Sequence, residues 1–161
     1  MNKKQKSLTN KGFSLVELII VIAIMAVLVG ALAPQYVKYL DKSKVSADIQ
    51  LANAVKQAIE VTIIDTTVAE TAKPKNTDVK ALGAEGTGDF WNEVYEILKV
   101  ANNGELIGKL KLDQTTGTGD AAKDVVIQYS VSSAGNVTVQ ISGGKYGTPG
   151  ATGNENSVLV N

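Results

Sequence analysis

Cysteine, histidine and arginine are all missing from these 161 residues. Without cysteine there is no disulfide framework, and with neither cysteine nor histidine the usual structural zinc sites cannot be built. The lack of histidine also removes the side chain best suited to acid–base work near neutral pH. The lack of arginine removes the planar fork favoured for bidentate contact with phosphate or guanine. Carboxylates, lysine, serine and tyrosine leave other catalytic chemistry open. No nucleophile with a base and an orienting partner stands out, however, so the expectation is a protein that is not an enzyme and uses no cofactor or metal.

What is present is unevenly distributed. The apolar content of 44% is enough for one domain with a real core. The formal net charge is zero, yet Lys3, Lys4, Lys6 and Lys11 fall within the first twelve residues, which hold no acidic residue. The remainder carries 12 basic against 16 acidic residues, a net of −4. A mildly acidic body is a poor match for nucleic acid, and no specific nucleic-acid partner is expected. The basic start therefore has a separate cause.

That cause lies beside it. Leu18 to Ala33 is sixteen residues without a charge, and counting from Phe13 gives twenty-one, interrupted by Ser14 and Glu17. Such a run is long enough to cross a hydrocarbon layer as a helix, and the preceding lysines orient its N-terminus to the cytoplasm. A conventional signal peptide would end at Ala31-Leu32-Ala33. Glu17 inside the apolar region and Pro34 directly after the cut both oppose that reading. An anchor that is never processed remains open on hydropathy alone.

Lys11-Gly12-Phe13-Ser14-Leu15-Val16-Glu17-Leu18 closely resembles the class III signal of type IV pilins and pseudopilins. The resemblance covers about the first forty residues and rests on a combination: basic leader, Gly-Phe, glutamate, apolar run and proline in order. It implies that a prepilin peptidase cuts between Gly12 and Phe13 and that the new amine of Phe13 is methylated. Glu17 then matches the family's fifth-position glutamate, and Pro34 its kink-inducing proline. The resemblance further implies that Glu17 neutralises the Phe13 amine of a neighbouring subunit, setting the register of assembly.

Physical chemistry gives Glu17 a task without the family. A carboxylate in an apolar helix costs up to ~3 kcal/mol near the bilayer centre, so it has a partner or lies within reach of headgroup water. Gly30 and Pro34, four residues apart, weaken the helix: the proline donates no N–H and its ring crowds the Gly30 carbonyl. A kink is expected there.

Beyond Pro34 the pattern becomes amphipathic. Val45, Ile49, Ala52, Val55, Ile59 and Ile63 recur at spacings of three and four, one helical stripe. Phe13 to about Ile64 then reads as one helix of ~78 Å. Residues 65–88 read as a loop-rich connection. Asp89 to Ala101 reads as a short helix, with Asp89 as N-cap, Phe90, Val94, Ile97 and Leu98 buried, and Asn102-Asn103-Gly104 stopping it. Glu105–Leu112, Val125–Val131 and Val137–Ile141 read as strands, the last two joined by a turn at Ser133-Ala134-Gly135-Asn136, with Val158–Val160 as a short final strand. The expected class is α+β: a pilin fold with one long N-terminal helix on an antiparallel sheet of three or four strands. Its parts are a leader over 1–12, a membrane or filament-core half over 13–34, an amphipathic half over 35–64 and a head over 65–161. With no disulfide, pairing of Val158–Val160 and hydrogen bonds from Asn154 and Asn156 are expected to hold the C-terminal region.

Three other features carry less. Asp113 to Asp120 with Asp124 gathers oxygen ligands but lacks the EF-hand spacing, and reads as a solvated connection. Gly83 to Gly88 lacks the Lys and Ser/Thr of a phosphate-binding loop. Lys109 and Lys111 read as protection of a strand edge.

The resemblance implies a structural subunit of a type IV pilus that polymerises through its N-terminal helix into a surface filament for adhesion, aggregation, biofilm formation or twitching motility. Before assembly it would be a single-pass protein of the cytoplasmic membrane. Implied partners are copies of itself, minor pilins, a prepilin peptidase, a platform protein and an assembly ATPase. Absence of cysteine would suit a Gram-positive source. The rival readings are a pseudopilin of a type II secretion or DNA-uptake system, and a membrane-anchored binding module that never polymerises.

Overall fold

The computed structural model describes residues 12–75, 77–82, 88–116, 124–147 and 156–161. The chain divides into two compact units, Met1–Tyr39 and Leu40–Asn161. One helix, α1, runs from Leu15 to Ile64, fifty residues, with Pro34 inside it. In the first unit, residues 12–39 are exposed throughout, and the apolar part of α1 is uncovered along its length. It is long and apolar enough to cross a membrane.

The second unit is an α+β head. Its sheet has the order β1 (Thr77–Ala81), β2 (Val126–Val131), β3 (Val137–Ser142) and β4 (Val158–Val160), every neighbouring pair antiparallel. Strict alternation places Ile127, Tyr129 and Val131 of β2 and Val137, Val139 and Ile141 of β3 in the core. The β2–β3 turn is where the sequence puts it. Ser132 N donates to Asn136 O at 2.9 Å, and Gly135 takes a φ of 84°, which glycine adopts without a side-chain clash.

Two helices complete the core. In α2 (Asp89–Leu98) Phe90, Trp91 and Val94 are buried, while Ile97, expected inside, is 41% exposed. Trp91 lies edge-on to both Phe90 and Tyr129, with centroids 5.0 and 4.8 Å apart. Gly88, and not Asp89, occupies the N-cap; Asp89 is the first helical residue, where its charge meets the positive end of the helix dipole. The helix ends at Leu98 because Lys99 turns left-handed at φ 54°, well before Asn102.

The segment Glu105–Leu112, expected as a strand, is instead helix α3 (Asn103–Gly108) followed by an extended turn. Asn102 starts this helix instead of stopping the previous one. Its side chain accepts from Glu105 N at 3.0 Å, while the Glu105 carboxylate accepts from Ala101 N at 2.7 Å. Leu110 and Leu112 are both buried, as their alternation suggests, but the N–H groups of Lys111 and Leu112 bond to a carboxylate on α1 and join no sheet. Lys109 and Lys111 therefore protect no strand edge. Conversely β1 lies inside the stretch read as connection. Its Thr77-Asp78-Val79-Lys80-Ala81 sequence has no clean apolar alternation and becomes a strand by pairing with β2.

The α1 stripe also differs in detail. Val45, Ala52, Val55 and Ile59 are buried as expected, but Ile49 is 37% exposed and Ile63 half-buried, while Asp48 and Thr62 are fully inside. The buried face is rotated toward Asp48. The reason is the three hydrogen-bond donors that wait there, described next.

Candidate assembly helix and the carboxylates of the head

The first turn of α1 is built by its own polar residues. Leu15 is the first helical residue, which makes Ser14 the N-cap and Glu17 the third helical position. Glu17 Oε2 accepts from Ser14 N at 2.9 Å, and Ser14 Oγ accepts from Val16 N at 3.3 Å. Ser-x-x-Glu before an apolar run is a capping box, in which serine and glutamate satisfy donors that a helix start leaves unpaired. The sequence carries this signature openly, in Ser14 and Glu17 three residues apart. Phe13, just outside the helix, is 91% exposed. Gly12 is exposed, and a Cβ there would meet nothing within 4 Å. Lys3, Lys4, Lys6 and Lys11, expected to belong to a leader, lie outside the described residues.

Gly30 and Pro34 stand one helical step apart in an unbroken helix. Because Pro34 has no N–H, the Gly30 carbonyl lacks its i+4 donor. A Cβ on Gly30 would also meet nothing within 4 Å. Ala23, Ile24, Val27 and Leu28 line a shallow, almost purely apolar groove on the same segment.

In the head the polar groups that matter are two aspartates. Asp48, 1% exposed, sits on the buried face of α1. Its Oδ1 accepts from Lys111 N at 2.7 Å, and its Oδ2 from Leu112 N at 3.0 Å and from the Tyr146 hydroxyl at 2.8 Å. Burial first, then the bond to Asp48 and its charge, push the Tyr146 hydroxyl well above its ordinary value. Asp113 holds the neighbouring residue: its Oδ2 accepts from Lys145 N at 2.8 Å, and its Oδ1 from Thr115 N and Oγ1. Burial alone raises the Asp113 carboxyl, but the hydrogen bonds from Thr115 and Lys145 outweigh it and leave it below its ordinary value.

Both aspartates thus grip the bend at Gly143–Gly147, a 3-10 turn closed by a bridge between its two end glycines. Gly143 has φ 82° and passes so close to the start of β2 that a Cβ would lie 1.9 Å from Asp124 O. Asn156 Nδ2 adds a bond to Lys145 O at 3.3 Å, and β4 pairs with β3 through Val158, Leu159 and Val160. The expected contribution of Asn156 and of the last strand is present; Asn154 lies outside the described residues. Asp113 has a structural task at this bend, and among the described residues no group of three carboxylates is placed to hold a metal. Asp120 and residues 83–87 lie outside the described residues.

Comparison with known proteins places these features. The model of the prokaryotic N-terminal methylation motif matches residues 8–33. A fimbrial protein of Pseudomonas aeruginosa is 32% identical over 123 residues, 74% of this chain and 78% of that protein. The type IV major fimbrial protein FimA of Dichelobacter nodosus is 36% identical over 83 residues, 52% of each chain, so the match spans about half the length of that relative. Prepilin peptidase-dependent protein A of Clostridium perfringens is 28% identical over 75 residues, 47% of this chain and 51% of that protein. No solved structure matches the chain. A methylation motif laid over the capped start of an uncovered apolar helix, and a fimbrial relative 32% identical over 74% of the chain, put this chain among the type IV pilins.

Proposed function

We propose that the chain is made with a basic leader that a prepilin peptidase removes between Gly12 and Phe13, with methylation of the new amine. The mature subunit waits in the cytoplasmic membrane with Phe13 on the inner side. A platform protein and an assembly ATPase then draw it into a filament with copies of itself and minor pilins. The fibre serves adhesion, aggregation or twitching motility. Its role is structural, as membership of the pilin family implies for a chain of this kind.

The observation that carries this reading is the uncovered apolar window of α1, opening on a carboxylate. Such a surface needs lipid or other helices around it. The capping bond engages Glu17 Oε2, and a carboxylate accepts at both oxygens. A lone subunit in lipid thus keeps its charge partly satisfied through Ser14, while Oε1 supports pairing with the Phe13 amine of a neighbour. Charge pairing of this kind sets register more than affinity.

The test compares Glu17→Ala with Glu17→Gln. Glutamine retains an acceptor for Ser14 N and loses only the charge. Both variants are expected to be cleaved, methylated and kept in the membrane, and both to yield few sheared filaments. Normal filaments from Glu17→Gln would reduce the residue to a helix cap. Mass spectrometry of native material supplies the companion result: a chain starting at methylated Phe13 in the sheared fraction supports the pilus subunit. The same terminus confined to membranes would favour a pseudopilin.

A further inference from the structure

Helix α2 is covered on one side only. Phe90, Trp91 and Val94 turn inward, while Asp89, Asn92, Glu96 and Ile97 are exposed and Glu93 is half-buried. Asp89, Glu93 and Glu96, at spacings of four and three, form one acidic stripe whose like charges repel.

At the other end of the helix the charge reverses. Lys99 caps α2, Lys109 Nζ donates to the Lys99 carbonyl at 3.2 Å, and Lys111 follows two residues on; all three lysines are exposed. The nearest carboxylates in sequence to Lys109 and Lys111 are otherwise engaged. Glu105 accepts from Ala101 N, and Asp113 from Thr115 and Lys145. Among the described residues no salt bridge includes Asp89, Glu93, Glu96, Lys99, Lys109 or Lys111.

The helix dipole gives Asp89 and Lys99 a local reason, at the start and the end of α2. It gives none to Lys109 and Lys111, and it opposes Glu96, which sits in the last turn where a negative charge is unfavourable. A second copy of this chain answers both sets at once, because the acidic stripe of one head complements the lysines of another. We infer that Asp89, Glu93 and Glu96 of one subunit dock on Lys99, Lys109 and Lys111 of the next. Ile97, 41% exposed next to Glu96, adds apolar area to the contact. The contact is heterologous: each head keeps one set open for a further copy, so it repeats along a polymer instead of closing a dimer. The inference rests on the polymerisation proposed above and assigns it a contact between heads.

The test uses filaments sheared from cells that make the full chain. Carbodiimide joins a carboxylate and an amine in contact through an amide, with loss of water. Treated filaments should give a ladder of multimers on denaturing gels. Peptides linking residues 89–96 to Lys99, Lys109 or Lys111 should occur in the multimer bands and be absent from the monomer band. Charge reversal supplies the second arm. Glu93→Lys with Glu96→Lys, or Lys109→Glu with Lys111→Glu, should each lower the filament yield about ten-fold. All four substitutions in one chain should restore it to within about two-fold of the parent, which a loss of folding would not do. Multimers whose linkages avoid α2, or a combined variant no better than either pair, overturn the proposal. Crosslinking that stops at dimers overturns its heterologous geometry. A parent chain that yields no sheared filaments overturns the pilus reading itself.

Discussion

The Tyr146 hydroxyl donates to Asp48 Oδ2 at 2.8 Å across 98 residues of sequence. The bond ties the bend before the last strand to the middle of the long helix, with both side chains buried. The same carboxylate also takes the two backbone N–H groups that follow α3, so two distant segments converge on one side chain of α1.

Asp48→Ala would leave two N–H groups and a hydroxyl buried without their acceptor. The expected loss is roughly 3–5 kcal/mol of head stability, with Asp48→Asn intermediate because one amide oxygen remains to accept. Urea unfolding of the detergent-solubilised chain, followed by Trp91 fluorescence, measures it. Trp91 is the one tryptophan and is packed in the core. A loss below about 1 kcal/mol would remove Asp48 from this role.

Tyr146 sets an alkaline limit. Its hydroxyl is raised in the folded chain above the ordinary value of 10.0, so the stabilisation is complete below that pH and declines as pH rises through it. Tyr146→Phe should be less stable at neutral pH, for want of the bond to Asp48. It should also lose less than the parent between pH 9 and pH 11 (about one unit either side of the ordinary tyrosine value). Parallel alkaline curves for the two proteins would contradict this.

Asp113 works in the opposite direction. Its carboxyl lies below the ordinary value of 3.8, so its contribution is present above that pH and is lost as pH falls toward the folded value. Asp113→Asn should flatten the acid limb of the stability curve and loosen the 143–147 bend. Faster amide exchange at Lys145, whose N–H Asp113 accepts, is the local readout.

The glycines divide into two kinds. Gly143→Ala forces a Cβ into the Asp124 carbonyl at a φ reserved for glycine, and should cost roughly 2–4 kcal/mol. A Cβ at Gly12 meets nothing within 4 Å among the described residues, so Gly12→Val should leave the unfolding midpoint unchanged while blocking removal of the leader. Mass spectrometry and the same urea titration, run on both variants, separate a folding position from a processing position.

Much of this was legible before any coordinates. The apolar run from Leu18, the stripe at Val45, Ala52, Val55 and Ile59, and the β-branched runs of β2, β3 and β4 all declare their elements through period. Residues 103–108 were misread because Asn102 lies where one helix could stop, while its bond to Glu105 N makes it the start of another. β1 escaped notice because only its partner strand makes it a strand. Asp48 was the larger omission. A lone carboxylate beside an apolar stripe looks like the edge of a solvated face, and the donors that draw it inside lie 63, 64 and 98 residues further on. Ser14 was different: its capping partner is three residues away, and the pattern stood in plain view.

A head without cysteine closes its C-terminal region with proton-bearing bonds, to Asp48 from Tyr146 and to Asp113 from Lys145 N. It can therefore fold without an oxidant or a thiol isomerase at the membrane face, and a reducing anaerobic habitat leaves its closure intact. Its vulnerability is moved from reductant to pH: to base at Tyr146 and to acid at Asp113.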